Sequence, residues 1–299
     1  MNNAQWLEER RRGIGGSDIA AIMGISPWKS AYRVYQEKRR EVEDWQGNAL
    51  TDWGQRLEPM IRQWYSDETG RAVRVPEKIL VSTKHPFLFA SLDGFTDDNR
   101  VVEIKTARSG KDWGEPGTDE IPDYYALQVQ HYLIVTGYEF CDVPVSIAGS
   151  PPELYEVTAD KDIQGMIIEA AAKFWEQVQK GIPPEPASYA DVVQRYGRSR
   201  AEGVVIADRE TVAAIEKLRD VRAAQLDLKV QEEDLKGCII KALSDLGDTL
   251  TDDGDNTLVT YKMAKGRKSF DAKAFQKDYP DMYEKYLTNG KGSRRFLLK

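Results

Sequence analysis

The chain has 299 residues, of which 41% are hydrophobic and 30% are charged, and its formal net charge is −7. These values are ordinary for a globular protein with one large domain or two. No segment approaches the ~18 consecutive apolar residues of a transmembrane helix, and the N-terminus lacks the apolar stretch of a secretory signal. We therefore expect a cytoplasmic protein with no membrane partner.

Cysteine content and charge distribution limit the kinds of site that the chain can form. Cys141 and Cys238 cannot form an iron–sulfur cluster or a zinc site alone, and only His85 and His131 could help. Any bound metal should therefore have oxygen ligands. The net negative charge disfavours phosphate binding, but residues 262–299 hold 11 Lys and Arg against 4 Asp and Glu. A basic tail thus follows an acidic body.

Helix and strand patterns alternate through the first 180 residues. They predict, in chain order, a helix from about Gln5 to Arg12, a glycine-rich turn at 13–18, a helix from about Leu50 to Thr69, strands to about Thr106, a helix from Asp123 to Thr136, strands at 139–148 and 153–158, and a helix from Asp160 to Lys180. The second of these helices carries a stripe of Trp53, Leu57, Ile61 and Trp64. The proline-rich stretch 181–186 predicts a boundary between domains 1–187 and 188–299.

The second domain is expected to be mainly helical. Between residues 218 and 246, seven of nine positions spaced alternately by three and four are apolar: Leu218, Val221, Leu228, Leu235, Ile239, Ala242 and Leu246. This spacing is typical of a coiled-coil-like surface, although Gly237 can mark a bend. We expect residues 188–299 to serve assembly and DNA or partner contact. Alternatively, the helix folds back over its own first domain.

The most informative segment is 89–106, which reads as a β-hairpin around a Thr-Asp-Asp-Asn turn. Side chains alternate along a strand, so Glu103 and Lys105 should share one face. Asp93, on the partner strand, can face the same point. Two carboxylates beside a lysine can hold a hard divalent cation and place an ammonium next to its water. This pattern is typical of metal-dependent nucleases, although surface charges on a hairpin produce it too.

Two predicted helices carry further polar candidates. Glu58 lies on the half-buried edge of its helix, where it is either a metal ligand or a surface glutamate with its charge in solvent. Tyr125, Gln128 and Tyr132 share one face of the helix at 123–136. They form either part of a polar site or an ordinary, partly buried face.

Several of these segments together resemble a known family. The motifs Trp53-Gly-Gln-Arg-Leu-Glu58, Ser91-Leu-Asp-Gly94, Glu103-Ile-Lys105 and Tyr125-Ala-Leu-Gln-Val-Gln-His-Tyr132 follow the order and spacing of phage lambda-type exonucleases. The segment Arg11-Arg-Gly-Ile-Gly-Gly-Ser-Asp18 resembles the opening motif of YqaJ-type viral recombinases, which share that PD-(D/E)xK nuclease core. Relatives commonly have a proline before the aspartate that matches Asp93, whereas this chain has Leu92. The difference leaves the ligand Asp93 itself intact.

The resemblance implies a fold and a set of residue roles. The fold is an α/β, restriction-endonuclease-like core, with a central mixed β-sheet flanked by helices, plus the helical extension. Similar enzymes hold one or two Mg²⁺ or Mn²⁺ ions with the matches to Glu58, Asp93, Glu103 and the carbonyl of Ile104. The match to Lys105 orients or deprotonates the attacking water. The matches to Gln128, Tyr125 and Tyr132 position the water, the lysine and the substrate. The matches to Arg11 or Arg12, Ser17 and Ser91 receive a terminal 5′-phosphate.

The implied activity is 5′→3′ degradation of double-stranded DNA from an end, leaving a 3′ single strand for a phage annealing protein. Relatives form rings, so a trimer or tetramer is expected. A structure-specific or non-processive endonuclease on the same core is one alternative, and a catalytically silent DNA-binding phage protein is another. Cas4-like nucleases share the core but need four cysteines, which this chain lacks.

Overall fold

The computed structural model describes residues 3–42, 47–198, 203–288 and 292–298. The elements, in chain order, are α1 (Asn3–Arg10), β1 (Ile14–Gly15), α2 (Gly16–Ile22), α3 (Ala31–Arg39), α4 (Ala49–Thr69), β2 (Val73–Arg74), β3 (Leu80–Val81), β4 (Leu88–Ala90), β5 (Gly94–Thr96), β6 (Arg100–Val102), β7 (Lys105–Ala107), α5 (Asp123–Thr136), β8 (Phe140–Ile147), β9 (Glu153–Thr158), α6 (Lys161–Lys180), α7 (Tyr189–Tyr196), α8 (Arg209–Leu243), β10 (Thr249–Thr251), β11 (Thr257–Thr260), α9 (Ala272–Asp278) and α10 (Pro280–Tyr286).

A mixed sheet forms the centre of the first part of the chain. Strands β2, β5 and β6 pair antiparallel, β6 and β7 both pair parallel with β8, and β9 pairs antiparallel with β8. Val102 pairs with Asp142 and Lys105 with Val145, so β6 and β7 keep one register along β8. They are therefore two halves of one strand, interrupted at Glu103 and Ile104.

A smaller three-stranded sheet lies beside it, in which β4 pairs parallel with β1 and antiparallel with β3. Helix α5 packs against the buried side chains of the main sheet, and α2, α3 and α6 form a second apolar cluster with β1 and β4. The predicted fold class is confirmed, since a mixed sheet is flanked by helices and a helical region follows. Helix α5 has the predicted bounds and ends at Gly137, whose φ of 74° is typical of a helix C-terminus.

The stripe on α4 differs from the prediction in one residue. Ile61 and Tyr65 are buried against Val102 and Ile104, with Leu57 and Trp64 partly buried beside them. Trp53, however, is 60% exposed. It lies about two turns before Ile61, and so falls outside the part of the helix that packs on these sheet residues.

The chain divides into two compact units, Met1–Tyr196 and Gly197–Lys299. The first continues nine residues past the predicted boundary at 187, because α7 is tied to it: the hydroxyl of Ser30 donates to the buried carboxylate of Asp191 at 2.8 Å. Among the described helices, none is long and apolar enough to cross a membrane.

The second unit contains the 35-residue helix α8, a β10–β11 hairpin and two short helices. Gly237 lies within α8 and does not end it. The predicted apolar row is largely exposed, with Leu228 at 64% and Leu235 at 65%. Leu246 lies beyond the end of the helix. This row is an apolar surface, and whether it contacts another chain stays a prediction.

Candidate active site

The hairpin brings the first two carboxylates together at a break in a strand. Gly94 pairs with Val102 across the β5–β6 ladder, so Asp93 lies opposite Glu103. Beyond Val102 the backbone leaves the regular strand, and the amide of Ile104 donates to Asp93 Oδ2 at 2.8 Å. The interruption between β6 and β7 thus turns a backbone donor toward a carboxylate. It fixes Asp93 beside Glu103.

Glu103 is the centre of a hydrogen-bonded cluster. Its Oε1 accepts from Lys105 Nζ at 2.5 Å and from Gln128 Nε2 at 2.7 Å, while Gln128 Oε1 accepts from Lys105 at 3.1 Å. The three side chains come from the strand and from α5, and each contacts the other two. We call Asp93, Glu103, Lys105 and Gln128 the carboxylate cluster.

Burial and like charges perturb the acids of this cluster. Burial first, and the charge of Glu103 second, raise the pKa of Asp93 to about 7. Burial also raises the pKa of Glu103, against the effect of Lys105. Burial acts to lower the pKa of Lys105, but the charges of Glu103 and Asp93 outweigh it and raise that pKa. Lys105 is therefore an ammonium ion at neutral pH.

The cluster has features that suit a divalent cation. Glu103 Oε2 is buried without a hydrogen-bond partner among the described residues, so one anionic oxygen is left unsatisfied. When both are ionised, Asp93 and Glu103 carry two negative charges against the single positive charge of Lys105. Carboxylate and carbonyl oxygens are the ligands that Mg²⁺ and Mn²⁺ prefer, and Ile104, whose carbonyl is the third expected ligand, follows Glu103 and donates its amide to Asp93. The donor set fits a hard cation.

Glu58 is placed differently from the other expected ligands. It lies close enough to Asp93 for that charge to contribute, after burial, to raising the pKa of Glu58. Its carboxylate, however, accepts a short hydrogen bond from Arg62 one turn along α4. In the part of the chain that the structure describes, no three Asp, Glu, His or Cys side chains are gathered as a ready metal centre. Asp93 and Glu103 are the adjacent pair, and Glu58 lies near enough to both for their charges to interact.

The two tyrosines of the predicted polar face take different positions. Tyr132 is buried, and its hydroxyl accepts from Gln128 Nε2 at 2.9 Å. Gly16 allows this packing, because a Cβ there would come within 2.5 Å of the Tyr132 ring. The Tyr125 ring lies 4.5 Å from Lys105 Nζ in a cation–π contact. Tyr132 therefore supports the cluster through Gln128, whereas Tyr125 contacts the ammonium itself.

The expected phosphate-binding residues are only partly brought together. Ser17 accepts from Nη2 of Arg10 at 2.9 Å. Arg11 pairs instead with Glu8 at 3.3 Å, and Arg12 is exposed. Arg10, which the sequence reasoning missed, is thus the arginine at Ser17. The contact between Arg10 and Ser17 depends on the path of the glycine-rich turn between them, and no local sequence pattern indicates that contact.

Ser91 and Ser17 lie at the same edge of the small sheet. Gly15 of β1 pairs with Phe89 of β4 in parallel, and each serine follows its paired residue by two positions. The carboxyl ends of parallel neighbours lie on one side of a sheet. This register brings together two serines that are far apart in sequence.

A second charged group surrounds Asp18, which is 1% exposed. It pairs with Lys38 at 2.7 Å, Lys29 at 2.8 Å and Arg10 at 3.4 Å. Burial acts to raise the pKa of Asp18, but the three cations outweigh it and hold that pKa well below its usual range. We call these four residues the basic cluster. In the sequence, Asp18 stands out only as the last residue of the opening motif, and no pattern singles out the two lysines.

Comparisons with known proteins find sequence similarity to one family and structural similarity to a solved exonuclease. Residues 5–139 match the model of the YqaJ-like viral recombinase domain. The Bacillus subtilis (strain 168) protein YqaJ is 28% identical over 313 aligned positions, which cover 100% of this chain and 95% of YqaJ. An alkaline exonuclease from Laribacter hongkongensis, LHK-Exo, superposes with a TM-score of 0.50 at 20% identity, over 60% of this chain and 94% of its own. Its complex with dAMP matches equally well. The structural similarity to LHK-Exo establishes a shared fold.

Proposed function

We propose that this chain, which carries a YqaJ-like viral recombinase domain over residues 5–139, is a Mg²⁺- or Mn²⁺-dependent exonuclease acting on double-stranded DNA ends. One observation carries the proposal: the buried carboxylate of Glu103 and the partly buried carboxylate of Asp93 lie beside the ammonium ion of Lys105 at a strand break. Two carboxylates placed side by side away from water are costly unless enough positive charge balances them.

Asp93, Glu103 and the carbonyl of Ile104 would hold the metal, which would supply Lewis-acid activation of a phosphate oxygen and a water. Glu58 would add a further ligand through Oε2, since the hydrogen bond from Arg62 uses only Oε1. Lys105 stays protonated, so it donates to the attacking water or to a phosphate oxygen and counters developing negative charge. It does not remove a proton. Gln128 keeps Lys105 and Glu103 in place, and Tyr132 keeps Gln128 in place.

Recognition of the DNA end is a separate part of the proposal. Arg10 takes the place expected of Arg11 or Arg12, and with Ser17 and Ser91 it would receive a terminal 5′-phosphate. A guanidinium and hydroxyls match phosphate oxygens, and the two serines share one sheet edge. Cutting from a phosphorylated 5′ end leaves a 3′ single strand, the substrate of an annealing protein.

Assembly into a trimeric or tetrameric ring is also part of the proposal. The exposed apolar row on α8, including Leu228 and Leu235, supports it. Packing α8 against an equivalent helix of another copy would remove the apolar surface of these leucines from water, which is favourable.

Calorimetric titration with Mn²⁺ tests the metal site. We expect wild type to bind, and Asp93→Ala and Glu103→Ala each to lose measurable binding along with cleavage of linear duplex DNA. Asp97→Ala, which removes an exposed acid of the same hairpin, is the matched control and should match wild type. Equal Mn²⁺ affinity in all four proteins would overturn the metal assignment.

A further inference from the structure

An aromatic group lies at the surface of the first unit. Trp28 is 66% exposed, and its ring lies 4.8 Å from that of Tyr124 and 5.8 Å from that of Tyr125, with the two tyrosines 4.6 Å apart. An indole is among the costliest side chains to leave in water. We call these three residues the aromatic platform.

The loop that presents Trp28 is held by hydrogen bonds. Between α2 and α3, the amides of Ile25 and Ser26 both donate to the carbonyl of Ala20, at 2.9 and 3.0 Å. The amide of Trp28 donates to Ser26 Oγ at 3.2 Å. The exposed indole is thus fixed in place, and binding on it costs little ordering of the loop.

The aromatic platform adjoins the carboxylate cluster. Tyr125 contacts both groups: its ring lies 5.8 Å from the ring of Trp28 in the aromatic platform and 4.5 Å from Lys105 Nζ in the carboxylate cluster. One ring therefore separates the exposed indole from the ammonium that we assign to catalysis. This spacing is within the reach of one or two nucleotides.

We propose that Trp28, Tyr124 and Tyr125 form a stacking site for one nucleobase of the DNA strand being cut, near the phosphate at the carboxylate cluster. This inference rests on the nuclease function proposed above. Aromatic rings accept any base, since every base has a π-face. The site therefore contributes to holding an unpaired end without selecting sequence.

The test is a DNA-binding measurement in EDTA, where metal-dependent cleavage does not run. The probe is a labelled duplex with a 5′-phosphorylated frayed end, carrying a single abasic position moved stepwise from that end. We expect Trp28→Ala to raise the Kd about 5- to 100-fold, the range of one base–aromatic stack. Trp28→Phe should restore most of the affinity. Tyr189→Ala removes another exposed ring and should leave the Kd unchanged.

The abasic scan distinguishes stacking from other effects. In wild type, one abasic position should weaken binding as much as Trp28→Ala does, and combining the two should add nothing. If every position responds equally in wild type and variant, Trp28 does not stack on a base and the site is refuted. If wild type and Trp28→Ala bind and cut DNA alike, the site is refuted while the nuclease stands. If wild type neither binds nor cuts DNA, both proposals fail.

Discussion

At the scale of single residues, Lys105 separates metal binding from catalysis. It shares a strand face with Glu103 but is a cation, so removing it should leave the ligands in place. We expect Lys105→Met, which keeps the side-chain length, to lower the cleavage rate by about 10²- to 10⁴-fold. Mn²⁺ affinity should be retained or increased, because Glu103 loses a competing ammonium. Calorimetry and single-turnover cleavage measure the two effects. A variant that cuts at the wild-type rate would remove Lys105 from the mechanism.

Asp93 gives a prediction about pH and stability. Its folded-state pKa is about 7, above the usual ~3.9 of an unfolded aspartate. The contribution of Asp93 to the stability of the metal-free protein is therefore full below about pH 4, and it is lost as the pH rises through 7. We expect Asp93→Asn to exceed wild type in free energy of unfolding by roughly 1 to 4 kcal/mol at pH 8 in EDTA, with no difference near pH 4.

Thermal or urea unfolding across this pH range, with and without Mn²⁺, measures the effect. Mn²⁺ should reverse the order at pH 8, because only the wild-type carboxylate is a full ligand. If wild type is instead more stable than Asp93→Asn in EDTA at pH 8, the protein itself balances the negative charge of Asp93 without a metal.

Residue-level prediction from sequence worked where contacts are local. Alternation along a strand was enough to bring Lys105 to Glu103, and helical spacing was enough to put Gln128 and Tyr132 on one face. Arg10 and Lys38 could not be predicted, because their contacts with Ser17 and Asp18 depend on how a short turn and two helices fold together. Neither contact has a periodic signal.

At the scale of elements, the close approach of α2 to α5 depends on Gly16. A Cβ there would meet the Tyr132 ring at 2.5 Å and Gln128 Cγ at 3.1 Å, and Gln128 in turn holds Glu103 and Lys105. We expect Gly16→Ala to destabilise the protein by about 1 to 3 kcal/mol and to lower cleavage activity beyond that loss, measured at a temperature where the variant is folded.

Gly165→Ala is the matched control for this change. Gly165 lies within α6 and has open space around its Cβ position. Alanine is the better helix former, so the variant should gain up to about 1 kcal/mol of stability with unchanged activity. Equal effects of the two substitutions would mean that the contact between α2 and α5 does not matter for the site.

Element boundaries followed from caps and periodicity, as in α5, which ends at Gly137. The strand break at Glu103 and Ile104 did not, because the sequence Val-Val-Glu-Ile-Lys reads as one continuous strand. The break exists because the Ile104 amide bonds to Asp93 instead of to a neighbouring strand, a contact made across the hairpin. Trp53 was misplaced because periodicity predicts a face but not how far the sheet extends beneath it.

At the scale of the whole molecule, the two units should have separable roles. The first unit ends at Tyr196 and has its own apolar core. We expect a chain ending after Arg198 to fold and to bind Mn²⁺. It should have a lower oligomer mass by light scattering and weaker, less processive DNA binding, because the α8 surface and the basic tail are gone.

A point variant separates assembly from folding. Leu228→Glu with Leu235→Glu in the full-length chain should lower the oligomer mass and leave the melting temperature of the first unit unchanged. An insoluble truncated chain would favour the alternative in which α8 covers the chain's own first unit. A soluble truncated chain with unchanged mass and processivity would refute the role assigned to residues 188–299.

The most direct test of the account compares three substrates in one cleavage experiment with Mg²⁺: linear duplex DNA with 5′-phosphate ends, the same DNA with 5′-hydroxyl ends, and closed circular DNA. Strand-specific labels follow which strand is shortened. The account predicts that only linear DNA is degraded, from the 5′ end. It also predicts that removing the phosphate slows degradation about 10-fold or more, as expected for lost charge-assisted hydrogen bonds. Cleavage of the circle at the rate of the linear DNA, or no cleavage with Mg²⁺ or Mn²⁺, would contradict it.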